Sequence, residues 1–123
     1  TYAFRSLLDA GATLAFGSDW PVAPLDPLKG VDAAMFRRTI DGKNPGGWTP
    51  EERISGEEAL VAYTSASAYA GLNDDKTGTL ETGKLADLVV LSGDPTKADE
   101  NSIRDIIVLR TVVGGDTVFA AGE

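Results

Sequence analysis

The chain has 123 residues, 42% of them hydrophobic and 24% charged, which is enough for one ordinary globular domain or for a part of a larger one. Eleven basic and 19 acidic side chains give a formal net charge of −8, and since so acidic a chain repels a phosphate backbone, we expect no nucleic-acid partner. The absence of histidine and cysteine excludes a Ser-His-Asp or Cys-His catalytic group, a disulfide framework and a zinc site built from those ligands.

The sequence carries no sign of a membrane or secretory segment. No apolar run approaches the roughly 18 residues of a membrane span, and the first residues lack the basic region, long apolar stretch and cleavage site of a signal peptide. We therefore expect a cytoplasmic protein with no membrane partner. Because the chain starts without Met and directly on helical periodicity, we also expect that it belongs to a longer protein.

The first part of the chain predicts a helix, a strand and a polar loop. An apolar stripe at helical spacing over residues 2–8 precedes Gly11, which stands where a C-capping glycine would. The apolar run 12–16 predicts a buried strand, and Gly-Ser-Asp-Trp-Pro at 17–21 ends it. This order is typical of an α/β unit with a parallel sheet, in which ligands bind at the loop that follows a strand.

Asp19 lies in this loop, and two interpretations of it stay open. One is an ordinary turn or N-cap aspartate. The other is a carboxylate at the carboxyl end of a barrel strand, placed to hold a metal ion or to accept a proton. A single carboxylate does not make a metal site, and the sequence offers no second ligand nearby.

Prolines and glycines divide the next part of the chain. Three prolines keep residues 21–27 extended, and apolar residues at helical spacing after Leu28 predict a short helix. The turn-rich stretch 41–50 is too polar for a core, and Trp48 is its only large apolar residue. We interpret this stretch as a solvated connection, although it could also cover a substrate.

The second half of the chain begins with a helix and ends in strands. The capping box Ser55–Glu58 predicts a helix to about Ala70 that ends at Gly71, and its many small residues let it lie close to a sheet. A strand is predicted at 86–91, and a hairpin with a glycine turn at 111–120. Because about three strands are near the minimum for independent stability, we expect that a partner sheet is missing.

Four stretches occur in an order that carries a family resemblance. They are Phe-Gly-Ser-Asp-Trp-Pro-Val at 16–22, the helix 57–71, Gly-Thr-Leu-Glu-Thr-Gly-Lys-Leu-Ala-Asp-Leu-Val-Val-Leu at 78–91 and the hairpin 111–120. The set resembles the C-terminal part of an amidohydrolase-superfamily enzyme, close to the family 3 branch that includes N-substituted formamide deformylases. In that family these stretches correspond to the last barrel strand, the following helix, and the entry and closing strands of a small β-domain.

The resemblance implies an α/β plus β fold. Residues 1–72 would end a (β/α)₈ metallohydrolase barrel, and residues 73–123 would form the C-terminal part of a small β-sandwich. It also implies that non-peptide C–N bonds of amide or formamide type are hydrolysed by a hydroxide on a divalent metal, expected to be zinc. Asp19 would bind the metal and take the proton of the attacking water. Trp20 would lie at the pocket wall, unless it packs under the neighbouring loop instead.

The departures from the family pattern are as informative as the matches to it. Such enzymes carry histidine ligands and often a carboxylated lysine; this sequence has no histidine, and Lys84 precedes a β-domain strand rather than ending a barrel strand. A barrel also needs about 250 residues. We therefore interpret the chain as a fragment that is inactive alone, binds no metal tightly and self-associates through exposed strand edges. The alternative is a stand-alone interaction or scaffold module from a split or decayed amidohydrolase gene.

Overall fold

A computed structural model describes residues 2–122 of the chain. They form four helices and three strands in two groups, helices first and strands last. The helices are α1 (Phe4–Asp9), α2 (Pro27–Phe36), α3 (Gly56–Tyr63) and α4 (Ser65–Ala70). The strands are β1 (Leu88–Leu91), β2 (Val108–Val113) and β3 (Asp116–Ala120), and short 3₁₀ turns lie at Pro50–Glu52 and Ser102–Asp105. No helix in the described range is long and apolar enough to cross a membrane.

Two helix ends lie where the sequence predicts them. Helix α1 is followed by its C-cap residue Ala10 and then by Gly11, whose φ of +84° suits glycine and whose N–H donates to the Leu8 carbonyl at 2.9 Å. Helix α3 begins at a capping box, in which the Ser55 hydroxyl accepts from the Glu58 N–H at 3.1 Å and the Glu58 carboxylate accepts from the Ser55 N–H at 2.8 Å. Both predictions are confirmed.

The single helix predicted from Ser55 to about Ala70 is two helices. Thr64 breaks it with φ −119° and ψ −93°, and its hydroxyl donates to the Leu60 carbonyl at 2.6 Å. A threonine bonded back to the preceding turn competes with the helical ladder and bends it. The predicted end at Gly71 is confirmed, since Gly71 caps α4.

The prediction of a buried strand at 12–16 needs correction. The segment is extended but forms no strand ladder, and the sheet of the described residues is antiparallel rather than parallel. Leu14 and Phe16 are half-buried while Thr13 and Ala15 are exposed, which is the alternation of extended backbone. A central parallel strand needs neighbours on both sides, and residues 2–122 provide none, so the Phe16 N–H donates instead to a carbonyl of α3.

The predicted strand near 86–91 and the predicted hairpin are confirmed. The sheet order is β1-β2-β3, with antiparallel pairing throughout. Gly114 and Gly115 form the hairpin turn with φ of +60° and +92°, a backbone that glycine adopts without strain. The turn is tied to the segment before β1, because the Gly114 N–H donates to the Asp87 carboxylate at 2.7 Å.

The core lies among the helices and contains no strand residue. Its buried members come from α2, α3 and the segments that pack against them: Val31, Ala34, Met35, Ile54, Ala59 and Ile103. Ile103 belongs to the second 3₁₀ turn and is only 2% exposed, so it ties the approach to β2 onto α2. The core therefore fixes the extended segment that leads to Asp19, since Leu14 and Phe16 pack against it.

Candidate functional site

Asp19 begins a tight turn at the end of the extended segment. Its carbonyl accepts from the Val22 N–H at 2.8 Å, and the Ser18 carbonyl accepts from the Ala23 N–H at 3.1 Å. Asp19 itself has a φ of +49°, in the left-handed region that few residues other than glycine adopt. Asp is among the non-glycine residues that adopt this region most readily, and Tyr2, Arg37, Thr49 and Leu72 share it, so the backbone alone assigns no role to Asp19.

The Asp19 side chain makes none of the hydrogen bonds of a turn or N-cap aspartate within residues 2–122. The residue is exposed, and within residues 2–122 its carboxylate takes part in no hydrogen bond or ion pair. The N-cap of the next helix is Asp26, whose carboxylate accepts from the Leu28 N–H at 3.0 Å. The Asp19 carboxylate is therefore free to bind an external group.

The other residues singled out in the sequence do not gather around Asp19. Trp20 is 66% exposed and does not line the cleft described below. Lys84 donates from Nζ to the Thr79 hydroxyl at 2.7 Å and lies 3.4 Å from Glu81, so it fastens the turns before β1. In the part of the chain that the structure describes, no three His, Cys, Asp or Glu side chains come together as a metal site.

Sequence reasoning missed a second feature, a cleft at the junction of α1, α2 and α3. It has a volume of about 580 Å³, and its lining includes Phe4, Leu14, Phe16 and Tyr63. The rings of Phe4 and Phe16 lie 4.9 Å apart between centroids, and those of Phe16 and Tyr63 lie 5.4 Å apart. Because its walls come from three distant parts of the chain, no local sequence pattern predicts the cleft.

Arg37 lines this cleft, and it ties together segments that are far apart in sequence. It follows α2 with a φ of +54° and is only 9% exposed. Its Nε donates to the Trp48 carbonyl and its Nη1 to the Tyr2 carbonyl, each at 2.8 Å. Its guanidinium also lies over the Phe4 and Trp48 rings, 5.5 and 5.2 Å from their centroids. Arg37 thus holds the 41–50 loop against α2 through the Trp48 carbonyl, so the loop is more than a solvated connection.

A buried ion-pair group stands next to the cleft. Asp32 is 7% exposed, and its carboxylate accepts from Arg38 Nε and from Arg104 Nε, each at 2.9 Å. Arg38 Nη2 adds a contact to Asp32 at 2.8 Å. Buried charges persist when they are paired in this way. The group links α2 to the second 3₁₀ turn, and the two arginines share the single Asp32 carboxylate.

Another charged pair joins the first helix to the third. Arg5 Nη1 donates to both Glu58 carboxylate oxygens, at 2.8 and 3.0 Å, and Arg5 Nε donates to Asp9 at 2.9 Å. The Ser55 N–H and then the Arg5 guanidinium hold the pKa of Glu58 below its ordinary value of 4.5. The same carboxylate therefore caps α3 and anchors α1.

Comparison with known proteins adds independent information. A sequence model described as the amidohydrolase family matches residues 1–119. The chain is 43% identical over 121 residues to Protein LONG AFTER FAR-RED 3 of Arabidopsis thaliana, covering 97% of this chain and 20% of that protein. It is 36% identical over 111 residues to N-substituted formamide deformylase of Arthrobacter pascens, covering 90% of this chain and 20% of that enzyme. The chain thus spans about a fifth of the length of these relatives.

Solved structures agree with the sequence comparisons. An amidohydrolase from Thermotoga maritima MSB8 superposes with a TM-score of 0.67 at 27% identity, covering 97% of this chain and 26% of that one. An uncharacterized metal-dependent hydrolase from Pyrococcus furiosus superposes with a TM-score of 0.53 at 38% identity, covering 68% of this chain and 16% of that one. The order and placement of the helices and strands are therefore those of a solved hydrolase over nearly the whole chain.

Proposed function

Because this chain belongs to the amidohydrolase family, we propose that it is the C-terminal part of a metal-dependent hydrolase that cleaves non-peptide C–N bonds of amide or formamide type. The activity for which the Arthrobacter relative is named supports this substrate class. The metal-dependent hydrolase from Pyrococcus supports a divalent metal, for which we propose zinc. The hydrolase acts in the cytoplasm on small molecules, and residues outside this chain complete its catalytic centre.

The architecture of the proposed hydrolase assigns the two groups of elements to two domains. Residues 1–72 end the (β/α)₈ barrel, and residues 73–123 form the C-terminal part of a small β-sandwich. The extended segment 12–18 supports the first assignment. The exposure of its side chains alternates and its backbone pairs with no strand among the described residues, as expected for a barrel strand whose neighbours lie elsewhere. The sheet supports the second, since its apolar side chains are largely exposed, as in one half of a sandwich.

The proposal rests above all on one observation, the free carboxylate of Asp19 directly after the extended segment. We assign Asp19 as a metal ligand and as the acceptor of a proton, with Trp20 beside it at the pocket wall. One carboxylate does not hold a divalent ion, and the described residues offer no group of three ligands. We therefore propose that the isolated chain is inactive and assign no catalytic step to it alone.

A chimera tests this assignment. The present chain replaces the matching C-terminal segment of the Arthrobacter deformylase, and the hydrolysis of an N-substituted formamide is measured together with the bound metal. We expect an active, metal-loaded chimera in which Asp19→Asn lowers kcat by about 10²–10⁴-fold, the usual contribution of a proton-transferring group. Asp26→Asn is the matched control, because asparagine also caps a helix and should leave kcat within about twofold.

Two results would contradict the proposal. One is a folded chimera with bound metal that hydrolyses nothing. The other is an active chimera in which Asp19→Asn has no more effect than Asp26→Asn, since Asp19 would then be an ordinary turn residue.

A stand-alone interaction module is the second candidate, and the exposed apolar strands favour it. Val113, Val118 and Phe119 are 53%, 62% and 49% exposed. Unpaired strand edges and uncovered faces also make self-association part of either proposal. The mass of the native protein in its source cells, measured by blotting, separates the two. A band at 12.9 kDa supports the module, and a band several times heavier supports the hydrolase.

A further inference from the structure

The cleft between α1, α2 and α3 has the properties of a ligand site of its own. Its volume of about 580 Å³ lies within the range of small-molecule pockets, and its walls are mostly aromatic and aliphatic. Asp19 does not line it, so the cleft is separate from the proposed catalytic carboxylate. The polar groups of the cleft decide which ligand chemistry it would recognise.

Arg37 is a buried cation without a counter-ion in the described residues. It is 9% exposed, and within residues 2–122 its bonded partners are the carbonyls of Tyr2 and Trp48 and no carboxylate. Burying a charge is costly unless an opposite charge compensates it. The Glu52 carboxylate is near enough for the charge of Arg37 to lower its pKa, but the two side chains form no ion pair within residues 2–122.

Two further charged residues, Arg38 and Glu52, have bonding partners of their own. Arg38 also lines the cleft, but its guanidinium is paired with Asp32. The Glu52 carboxylate is held by the Ser6 hydroxyl and N–H, which lower its pKa more than the charge of Arg37 does. Arg37 is therefore the arginine of the cleft that forms no ion pair within residues 2–122, and the Glu52 charge acts on it only through space.

The guanidinium is fixed in position and retains a free donor. Nε and Nη1 are bonded, the Phe4 and Trp48 rings flank the group, and Nη2 has no hydrogen-bond partner within residues 2–122. A guanidinium held in this way loses little entropy when it binds a carboxylate. The Tyr63 hydroxyl lines the same cleft, in space that a β-carbon on Gly30 would need, and makes no hydrogen bond in the described part of the chain.

We propose that this cleft binds a small organic carboxylate with an apolar body. Arg37 binds the carboxylate through its free nitrogen, and the aromatic and aliphatic walls take the apolar body. The Tyr63 hydroxyl is a second donor; burial raises its pKa, so it keeps its proton at neutral pH. The site uses neither Asp19 nor a metal, but it shares the segment 12–18 with the barrel proposed above, so the proposal is made for the 123-residue chain itself.

Calorimetric titration of the full 123-residue chain with 4-phenylbutyrate tests the proposal. We expect saturable binding of one molecule per chain, and at least tenfold weaker binding of the neutral isostere 4-phenylbutanamide. Arg37→Gln should weaken 4-phenylbutyrate binding at least tenfold. The matched control is Arg110→Gln, because Arg110 is an exposed arginine on β2 outside the cleft, and this change should leave binding within twofold.

A cleft-filling variant keeps the test independent of any folding defect caused by the loss of Arg37. Ala33 is exposed on the cleft wall, so Ala33→Trp fills the space without removing a hydrogen bond and should abolish binding. Equal affinity for the acid and the amide would overturn the proposal, as would undiminished binding by Ala33→Trp. The absence of saturable binding to the unmodified chain would overturn it as well.

Discussion

The helical region and the sheet region of this chain are stabilised in different ways. Among the helices, Val31 and Ala59 are 1% and 0% exposed, and charged pairs bridge separate elements. In the sheet, Val113 and Val118 are more than half exposed, and the core contains no strand residue. The helical region thus has an interior of its own, whereas the sheet is held by its ladders and by the bond from Asp87 to the hairpin turn.

This difference indicates how much each region depends on contacts from beyond residues 2–122. The helical core already excludes water, so we expect the helical region to need contacts from beyond residues 2–122 mainly at the extended segment 12–18. A three-stranded sheet without a covered face lies near the limit of independent stability. We therefore expect the sheet to depend on contacts beyond residues 2–122 much more than the helices do.

The largest expected effect comes from truncating the same residue type in each region. Ile103 is 2% exposed and belongs to the helical core, whereas Ile107, just before β2, is 54% exposed. Ile103→Ala should lower the free energy of unfolding by about 2–5 kcal/mol through lost burial and the cavity left behind. Ile107→Ala should lower it by less than about 1 kcal/mol. Urea unfolding followed by circular dichroism measures both, and equal losses would remove the distinction between the regions.

A smaller effect should be confined to the sheet. Asp87→Ala removes the carboxylate that accepts from the Gly114 N–H, a bond worth about 1 kcal/mol. Amides of β2 and β3 should then exchange with solvent about fivefold faster, since about 1 kcal/mol of local stability is lost. Amides of α2 and α3 should be unaffected, because the core does not involve the turn.

The control for this exchange experiment is at the other end of the same turn. Asp116 begins β3, is exposed and makes no side-chain hydrogen bond within residues 2–122. Asp116→Ala should leave the exchange of both regions unchanged. If Asp87→Ala accelerates the helical amides as much as those of the strands, the chain unfolds as one unit and the comparison fails.

Local signals in the sequence were sufficient for local structure. The capping box at Ser55, the glycine that ends α1 and the glycine hairpin turn each act within a few residues, and each lies where expected. The extended segment 12–16 reads as a buried strand, but strands form by pairing, and its neighbours are not among the described residues. The family resemblance, which the comparisons confirm, named Asp19 but not the chemistry of the cleft.

The features that sequence reasoning missed all depend on contacts between distant residues. Arg37 and Arg38 are adjacent and chemically identical, yet one is paired with Asp32 and the other has no carboxylate partner in the described range. Thr64 looks like any helix residue until its hydroxyl bonds back to the preceding turn. Such outcomes are decided by tertiary packing, which periodicity does not contain.

The smallest expected effect tests the polar links within the helical region. The pKa of Glu58 is lowered in the folded chain by the Ser55 N–H and by Arg5, so this carboxylate stabilises the fold above its ordinary pKa of 4.5. That stabilisation is lost as the pH falls through the lowered folded value. Glu58→Gln should therefore cost about 0.5–1 kcal/mol at pH 7, as exposed ion pairs and caps do, and much less near pH 3.

The control is the neighbouring carboxylate in the same first turn of α3. Glu57 is exposed and has no side-chain hydrogen bond in the described residues, so Glu57→Gln keeps the capping box and the contact with Arg5. Other carboxylates also titrate between pH 7 and pH 3, and the comparison of the two variants cancels their contribution. A pH-dependent difference confined to Glu58→Gln would show that this carboxylate couples α1 to α3. Identical pH profiles for both variants would show that the pair with Arg5 adds nothing, leaving apolar packing and the Asp32 group to separate the helical region from the sheet.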